Sequence, residues 1–517
     1  MNEKIMILDT TLRDGAQAPG VSFSVADKID VVCTLDELGV DYIEAGNPAS
    51  NPKDMDFYAR MRGRTLRHAR LAAFGATRRK HMTAARDDHL AALLAAETPV
   101  VVIFGKTWKL HLSTVLACSE AENLAMIADT VSFLKAQGRE VIYDAEHFFD
   151  GYRDDPDYAM ETLHAARRAG ADTLVLCDTN GGAFPGDVAR ITAAAAAGLD
   201  VPPGIHCHND GGMAVASSLM AVQAGARHVQ GTINGIGERC GNASLACLTA
   251  NLQGKGGYRC LPELARLTHA ARQIAEVANV IIPDGAPYVG AGAFAHKAGM
   301  HLDGVAKLPA TFEHIDPALV GNRRRMLTSE MAGRAALLPR LQAYDASVTR
   351  DSPTLLAALR RLKEKEHEGY QYEAAEASFD LVLRRLTGMY RPCFELLHFK
   401  IIGEHRPHLS ATAVIKIRVG EREEISAAEG NGPVHALDRA LRRALEVFYP
   451  QVAGIRLIDY KVRVLDAAEA TDARVRVLIT STDGREVWTT VGVSQDIIRA
   501  SFEALADSME YHCHQGI

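Results

Sequence analysis

From residue 5 to about residue 253, short β-branched runs alternate with longer segments whose apolar positions recur near every 3.6 residues, the pattern of repeated strand–helix units around a parallel sheet. Eight strand candidates can be read: Ile5–Leu8, Tyr42–Glu44, Leu71–Phe74, Val100–Phe104, Glu140–Asp144, Thr173–Cys177, Gly204–His208 and His228–Gln230. Each is followed by a helical pattern. Val25 to Leu38 shows the form: Ile29, Val32, Cys33, Leu35 and Leu38 recur at helical spacing, and Gly39 stands where a C-cap would end the helix. Eight units in about 250 residues predict an α/β fold with an N-terminal (β/α)8 TIM barrel, because an open doubly wound sheet usually has fewer strands.

Beyond the barrel the pattern changes twice. Leu261 to Asn279 reads as a helix, Ile281 to Gly304 as a long ordered loop rich in Gly, Ala and Pro, and 331–390 as helical. The charged run Lys363 to Glu368 reads as a solvated helix face. From about residue 391 alternating strands such as Thr412 to Val419 appear, and the segment repeats internally. Arg422-Glu423 ahead of a strand and the helix Val434–Tyr449 correspond to Arg485-Glu486 ahead of a strand and the helix Ile497–Tyr511, giving two β-β-β-α halves. The expected organisation is a barrel over 1–275, helical linker subdomains over 276–390 and a C-terminal α+β domain over 391–517.

Composition narrows the classes. Of 517 residues, 47% are hydrophobic and 23% charged, a globular balance. The 57 Lys and Arg against 64 Asp and Glu leave a net charge of −7, with no cationic footprint for nucleic acid. The nearest apolar run, Val100 to Phe104, falls far short of the ~18–20 residues of a membrane span. Met1 to Asp9 has no basic region followed by a long apolar stretch, so a cytoplasmic protein is expected. Nine cysteines without a C-x-x-C pair predict reduced thiols.

In a TIM barrel the chemistry sits at the C-terminal strand ends, and these are polar here: Asp9 to Gly15 after strand one, Glu44, Asp144 and Glu146, Asp178 to Asn180, and His206 to Asp210. Side chains alternate along a strand, so His206 and His208 share a face and can share a metal, while Cys207 points the other way. Spacing alone is weak, because 20 histidines in 517 positions give roughly one H-x-H by accident. A second instance, His512-Cys513-His514, follows the last predicted helix at a fraying terminus where side chains diverge, and no function is assigned to it. For His206 and His208 the ordinary alternative is a pair of hydrogen-bonded core histidines; position at the barrel mouth favours ligation. Asp14 is the best acidic co-ligand and Asn242 a further oxygen donor, and nitrogen and oxygen donors without thiolate suit Mn2+, Mg2+ or Zn2+ with open positions. Arg13, either a surface ion-pair partner or a functional cation, would stabilise developing oxyanion charge. Glu146 stands between a catalytic role and a helix cap, and Gly231 to Asn242 offers close backbone approach.

Three motifs, Asp9 to Gln17, His206 to Asp210 and Asn234 to Asn242, resemble the family of 2-isopropylmalate, homocitrate and citramalate synthases, and the similarity covers essentially the whole chain. Gly430 to Leu437 resembles the regulatory domain of the isopropylmalate and citramalate synthases. Tyr143 to Tyr152 and His367 to Glu373 look most like the citramalate synthase subgroup, whose members make (R)-citramalate from pyruvate and acetyl-CoA toward isoleucine.

The resemblance implies an acyltransferase that performs a Claisen-type condensation followed by thioester hydrolysis. It implies a divalent metal, Mn2+ or Mg2+ ahead of Zn2+, on Asp14, His206 and His208 with Asn242 nearby. Arg13 would face the forming alkoxide, Thr179 the substrate carboxylate, and Glu146 and His301 would contact substrate and move protons. His301, taken alone, would read as an ordinary surface-loop histidine. It also implies a homodimer in which His301 reaches the site, and an isoleucine-sensing C-terminal domain. Phe312 stands where family members commonly carry tyrosine, so a phenolic hydroxyl is missing, and either another group such as His301 or His314 would replace it or the reaction would run more slowly.

Rival readings are 2-isopropylmalate synthase with 2-oxoisovalerate as acceptor, a carbon–carbon lyase resembling hydroxymethylglutaryl-CoA lyase, kept open by Cys240, and a biotin-dependent carboxyltransferase. The last would want a strand-end lysine where Asp144-Ala145-Glu146 stands. A non-catalytic effector-binding protein is the remaining alternative.

Overall fold

Eight parallel strands close into a barrel in the computed structural model, which describes residues 3–297, 299–326, 334–403, 411–465, 473–484 and 486–515. They are β1 (Met6–Asp9), β2 (Tyr42–Glu44), β3 (Arg70–Ala76), β4 (Val100–Lys106), β5 (Glu140–Glu146), β6 (Thr173–Asp178), β7 (Gly204–Cys207) and β8 (His228–Gly231). Leu8 pairs with Gln230 where β1 meets β8 and shuts the ring. All eight predicted strands are present. Several run further than their apolar patterns did, because the ladder continues through polar residues: Lys106 still pairs with Glu146. β7 stops one residue short, since His208 leaves it to form an isolated bridge with Asn242.

Helix Val25–Leu38 has the bounds its periodicity predicts. The Ser24 hydroxyl accepts the Asp27 amide while the Asp27 carboxylate accepts the Ser24 amide, a reciprocal cap. Gly39 ends it at φ 89°, where a Cβ would lie 2.3 Å from Pro262, so chain reversal and close packing both require glycine.

The barrel interior is apolar toward the strand N-termini, with Leu8, Val100, Val102, Ile142 and Val175 packed together. A larger layer between strands and helices contains Cys207, which therefore points away from the interior as strand alternation requires. At the opposite end of the strands Asp9, Glu44, Asp144 and Asp178 are buried. Burying carboxylates is costly unless they are paired or bind a cation, so this end of the barrel is where chemistry is to be sought.

Two compact units divide the chain: one holds residues 1–295 and 313–325, the other 296–312 and 326–517. Two expectations are corrected. The stretch from Ile281 to Gly304 is not loop throughout, because a helix Gly299–Lys307 begins inside it and carries His301; Gly299 and Gly304 masked its pattern while Val305 anchors it in the interior. The predicted helix Leu261–Asn279 resolves into a 3-10 turn, Leu264–Arg266, followed by a helix Leu267–Val277.

In the second unit, helices Arg334–Gln342, Pro353–His367 and Glu376–Leu386 share a core of Leu337, Leu341, Leu355, Leu362 and Phe379. The two β-β-β-α halves follow. Strands Glu395–Gly403, Ala411–Val419 and Arg422–Gly430 precede helix Pro433–Glu446; strands Arg456–Val464, Val475–Thr482 and Val487–Ser494 precede helix Ile497–Gln515. Ala411, Ala413, Ile415 and Ile417 alternate inward along the second strand. Arg485 of the sequence repeat lies outside the described residues. The last helix continues to Gln515, so His512 to His514 sit in a regular turn and not at a frayed end. Among the described residues no helix is long and apolar enough to cross a membrane, and the nine cysteines form no disulfide.

Candidate functional site

The loop after β1 turns on two hydrogen-bond acceptors. The Asp9 carboxylate takes the Thr11 amide and hydroxyl, each at 2.9 Å. The Thr10 carbonyl takes the amides of Arg13, Asp14 and Gly15 at 3.1, 2.9 and 3.1 Å. This tight wrap presents Arg13 and Asp14 together at the barrel mouth. Burial pushes the Asp9 carboxyl up to about 7 despite its bonds to Thr11.

His206 and His208 face Asp14 from β7 and the residue after it. Each Nε2 lies 3.8 Å from the same Asp14 oxygen, too far for a hydrogen bond and spaced as two ligands and a third around an ion. The donor atoms of all three lie within 4.8 Å of one another and all three residues are buried. The tautomer of His206 is set from behind: its Nδ1 lies 2.8 Å from the Gln230 side-chain carbonyl, whose amide nitrogen donates to Asp144 at 2.9 Å. Burial and the neighbouring His206 push His208 down to about 4, so its imidazole is neutral and ready to ligate.

Asp14 is itself oriented by Asn242, whose Nδ2 donates to it at 2.8 Å, while Asn242 Oδ1 is buried without a hydrogen bond. Gly237 of the glycine-rich loop passes over this pair. A Cβ there would lie 2.2 Å from Asn242 Nδ2 and 3.0 Å from Asp14, so the loop's close approach is to ligand-bearing side chains. Burial opposes ionisation of Asp14, but Arg13, His206, His208 and the Asn242 bond outweigh it and hold the carboxyl well below its usual range.

Arg13 is no surface ion-pair partner. Its Nε donates to Glu44 at 2.5 Å and its Nη1 to Asp14 at 2.9 Å, and its guanidinium lies 3.8 Å from the Phe74 ring centre. Glu44 also accepts the Thr10 hydroxyl at 2.6 Å and keeps a buried oxygen without a hydrogen bond. Burial, then Glu44, raises the Asp144 carboxyl well above its usual range. Asp14 and Glu44 thus flank one guanidinium, an excess of buried negative charge that a dication would offset. Orphaned acceptors, two convergent imidazoles and this charge make the donor set fit a divalent metal.

These groups border a cavity of about 220 Å3 whose walls include Arg13, Asp14, Phe74, Phe104, Asp144, Glu146, Thr179, His206 and His208. Six of the eight expected site residues therefore line one space, and Asn242 adjoins it through Asp14. Glu146 Oε2 pairs with Lys106 Nζ at 2.5 Å. The Thr179 hydroxyl accepts the His147 amide at 2.9 Å and its carbonyl accepts Arg239 at 2.7 Å; Arg239 in turn forks onto Asp210 at 2.8 and 3.0 Å, closing the rim. Cys240 is exposed. The eighth residue, His301, belongs to the second unit, where its exposed ring stacks on Phe312 at 4.1 Å. Phe312 thus offers His301 a stacking surface and no hydroxyl.

Sequence reasoning passed over Gln230 and Phe74, and gave Glu44 and Asp144 no role beyond being polar strand ends. Gln230 follows His228 at strand spacing, so it shares that strand's face, but its pairing with His206 is set by the β7–β8 register and had no signal in the sequence.

A family model described as HMGL-like matches residues 4–281, one described as the LeuA allosteric (dimerisation) domain matches 373–513, and one described as homocitrate synthase post-HMGL domain-like matches 288–368. Among curated relatives, the (R)-citramalate synthase of Synechocystis sp. is 49% identical over 523 residues, 98% of this chain and 96% of that protein. The (R)-citramalate synthase of Aquifex aeolicus is 48% identical over 99% of this chain and 98% of that protein. A protein of Methanopyrus kandleri named "Probable 2-isopropylmalate synthase" is 34% identical over 98% of this chain and 97% of its own length.

Proposed function

The chain belongs to the HMGL-like family and, within it, to the (R)-citramalate synthases, and we propose the following assignment of its residues to that reaction. Acetyl-CoA loses a methyl proton, the carbanion attacks the ketone carbon of pyruvate, and hydrolysis of the thioester releases coenzyme A and (R)-citramalate. Asp14, His206 and His208 would hold a divalent metal, Mn2+ or Mg2+ before Zn2+, with Asn242 nearby. When bound, such a cation would supply Lewis-acid polarisation of the 2-oxo acid's ketone.

Arg13 meets the alkoxide as it forms. Glu44, Asp14 and Phe74 fix its guanidinium in advance, so no reorganisation is needed when charge develops. Thr179 keeps its hydroxyl proton available for the substrate carboxylate, because the oxygen already accepts from His147. Glu146 contacts substrate and exchanges protons, its carboxylate placed by the ion pair with Lys106. His301 is assigned to proton transfer by its motif. The C-terminal segment matched by the dimerisation model supports a homodimer, and we assign it isoleucine as effector, acting by shifting a conformational equilibrium.

The convergence of Arg13, Asp14, His206 and His208 on one cavity carries this reading. It is tested by thiol release from acetyl-CoA with pyruvate, 2-oxobutyrate, 2-oxoisovalerate and 2-oxoglutarate compared, with and without chelator. Pyruvate is the expected preferred acceptor and chelator the expected inhibitor. Equal turnover of 2-oxoisovalerate, or Asp14→Ala and His208→Ala variants at the wild-type rate, would overturn it.

A further inference from the structure

The second unit holds another group of ligating side chains. Glu510, Cys513 and His514 are spaced three and four residues apart on the helix Ile497–Gln515, which places them on one face. That face is turned inward: Cys513 is 3% and Glu510 4% exposed, and the His514 side chain 6%. Against it runs buried Cys393, just ahead of the strand Glu395–Gly403. Both Glu510 oxygens accept the Cys393 amide, at 3.1 and 3.0 Å, and so fix where this segment crosses the helix.

Three features point to a missing ligand. The donor atoms of Cys393, Glu510 and His514 all lie within 4.8 Å of one another. His514 Nε2 faces Glu510 at 3.7 Å and, though buried, makes no hydrogen bond. The Cys393 thiol also shares a hydrogen bond with the Cys513 thiol, so a second sulfur stands next to the cluster. One sulfur, one imidazole nitrogen and one carboxylate oxygen form a donor set suited to a zinc-class ion with its fourth position open.

We propose that Cys393, Glu510 and His514 bind a zinc-class divalent cation that staples the last helix to the chain entering the first sheet of this unit. On binding, the Cys393 thiol gives up its proton and its sulfur takes the ion as a thiolate. The barrel set of Asp14, His206 and His208 contains no sulfur, so the two sites are spectroscopically separable.

Cobalt(II) is titrated into metal-stripped full-length protein kept reduced with a phosphine, and thiolate-to-cobalt charge transfer is read in the near ultraviolet. The band is expected in wild type, with saturation by two equivalents because the barrel site also takes cobalt, and by one equivalent once the barrel histidines are removed. It should persist in His206→Ala/His208→Ala and disappear in Cys393→Ser and His514→Gln, whose zinc content falls by one ion per chain. Absence of the band in reduced wild type, or its loss with the barrel variant alone, overturns the proposal. Should Cys393→Ser not fold, the wild-type and barrel-variant spectra decide.

Discussion

His206 Nδ1 lies 2.8 Å from the side-chain oxygen of Gln230, an acceptor that leaves the imidazole's other nitrogen with its lone pair toward Asp14. The ring is therefore oriented before any metal arrives. Gln230→Leu removes that anchor without touching a donor atom, and metal affinity is expected to fall about 10–100-fold. Competition with a calibrated chelator measures it; unchanged affinity would show that barrel packing alone orients the ring.

Arg13→Lys keeps the charge and discards the fork. An ammonium cannot hold Glu44 and Asp14 while lying flat on Phe74, so the field at the forming alkoxide loses its fixed direction. A fall in kcat of about 100–1,000-fold is expected, with a smaller change in KM for pyruvate. Steady-state thiol release checks this, and equal kcat would remove Arg13 from the chemistry.

Away from the site, Lys28 Nζ meets Asp54 at 2.6 Å with their side chains 3% and 8% exposed, and Asp54 also accepts the Asn47 amide. Asp54→Ala strands the ammonium and is expected to cost about 3–5 kcal/mol of stability, whereas Lys28→Met combined with Asp54→Leu recovers most of it. Urea unfolding of wild type, Lys28→Met, Asp54→Leu and the double variant gives the coupling directly, with Asp54→Ala measured beside them.

His228 supplies a pH prediction. Burial and then His206 push it down to about 3 from 6.5. The unfolded chain takes up this proton as pH falls through about 6.5, while the folded chain refuses it until about 3. His228 therefore leaves stability intact above the unfolded value and lowers it by about 1.4 kcal/mol for each pH unit below. His228→Asn should flatten the loss between neutral and mildly acidic pH, and an unchanged slope in thermal unfolding would refute the assignment.

The barrel was legible because period-two and period-3.6 patterns both concern neighbours along the chain, and Val25–Leu38 and Tyr42–Glu44 have the bounds they imply. Asp14, His206 and His208 were legible for the same reason: strand ends and alternation place them. Gln230 was not, because its meeting with His206 depends on the register between β7 and β8, which no local pattern encodes. Phe74 was not legible either, because its contact with Arg13 joins β3 to the loop after β1 across the barrel mouth. The end of the last helix was misjudged because proximity to a terminus was weighed above the buried Cys513 that pins it.

Three consecutive amides close on the single carbonyl of Thr10, so the β1 loop carries no slack. An inserted or deleted residue between Asp9 and Asp14 would swing the charge-stabilising arm and the ligating carboxylate off target in one stroke. Tolerance for a bulkier acceptor must then be engineered in the side wall at Phe104, because Phe74 carries the Arg13 guanidinium and cannot be trimmed without freeing it.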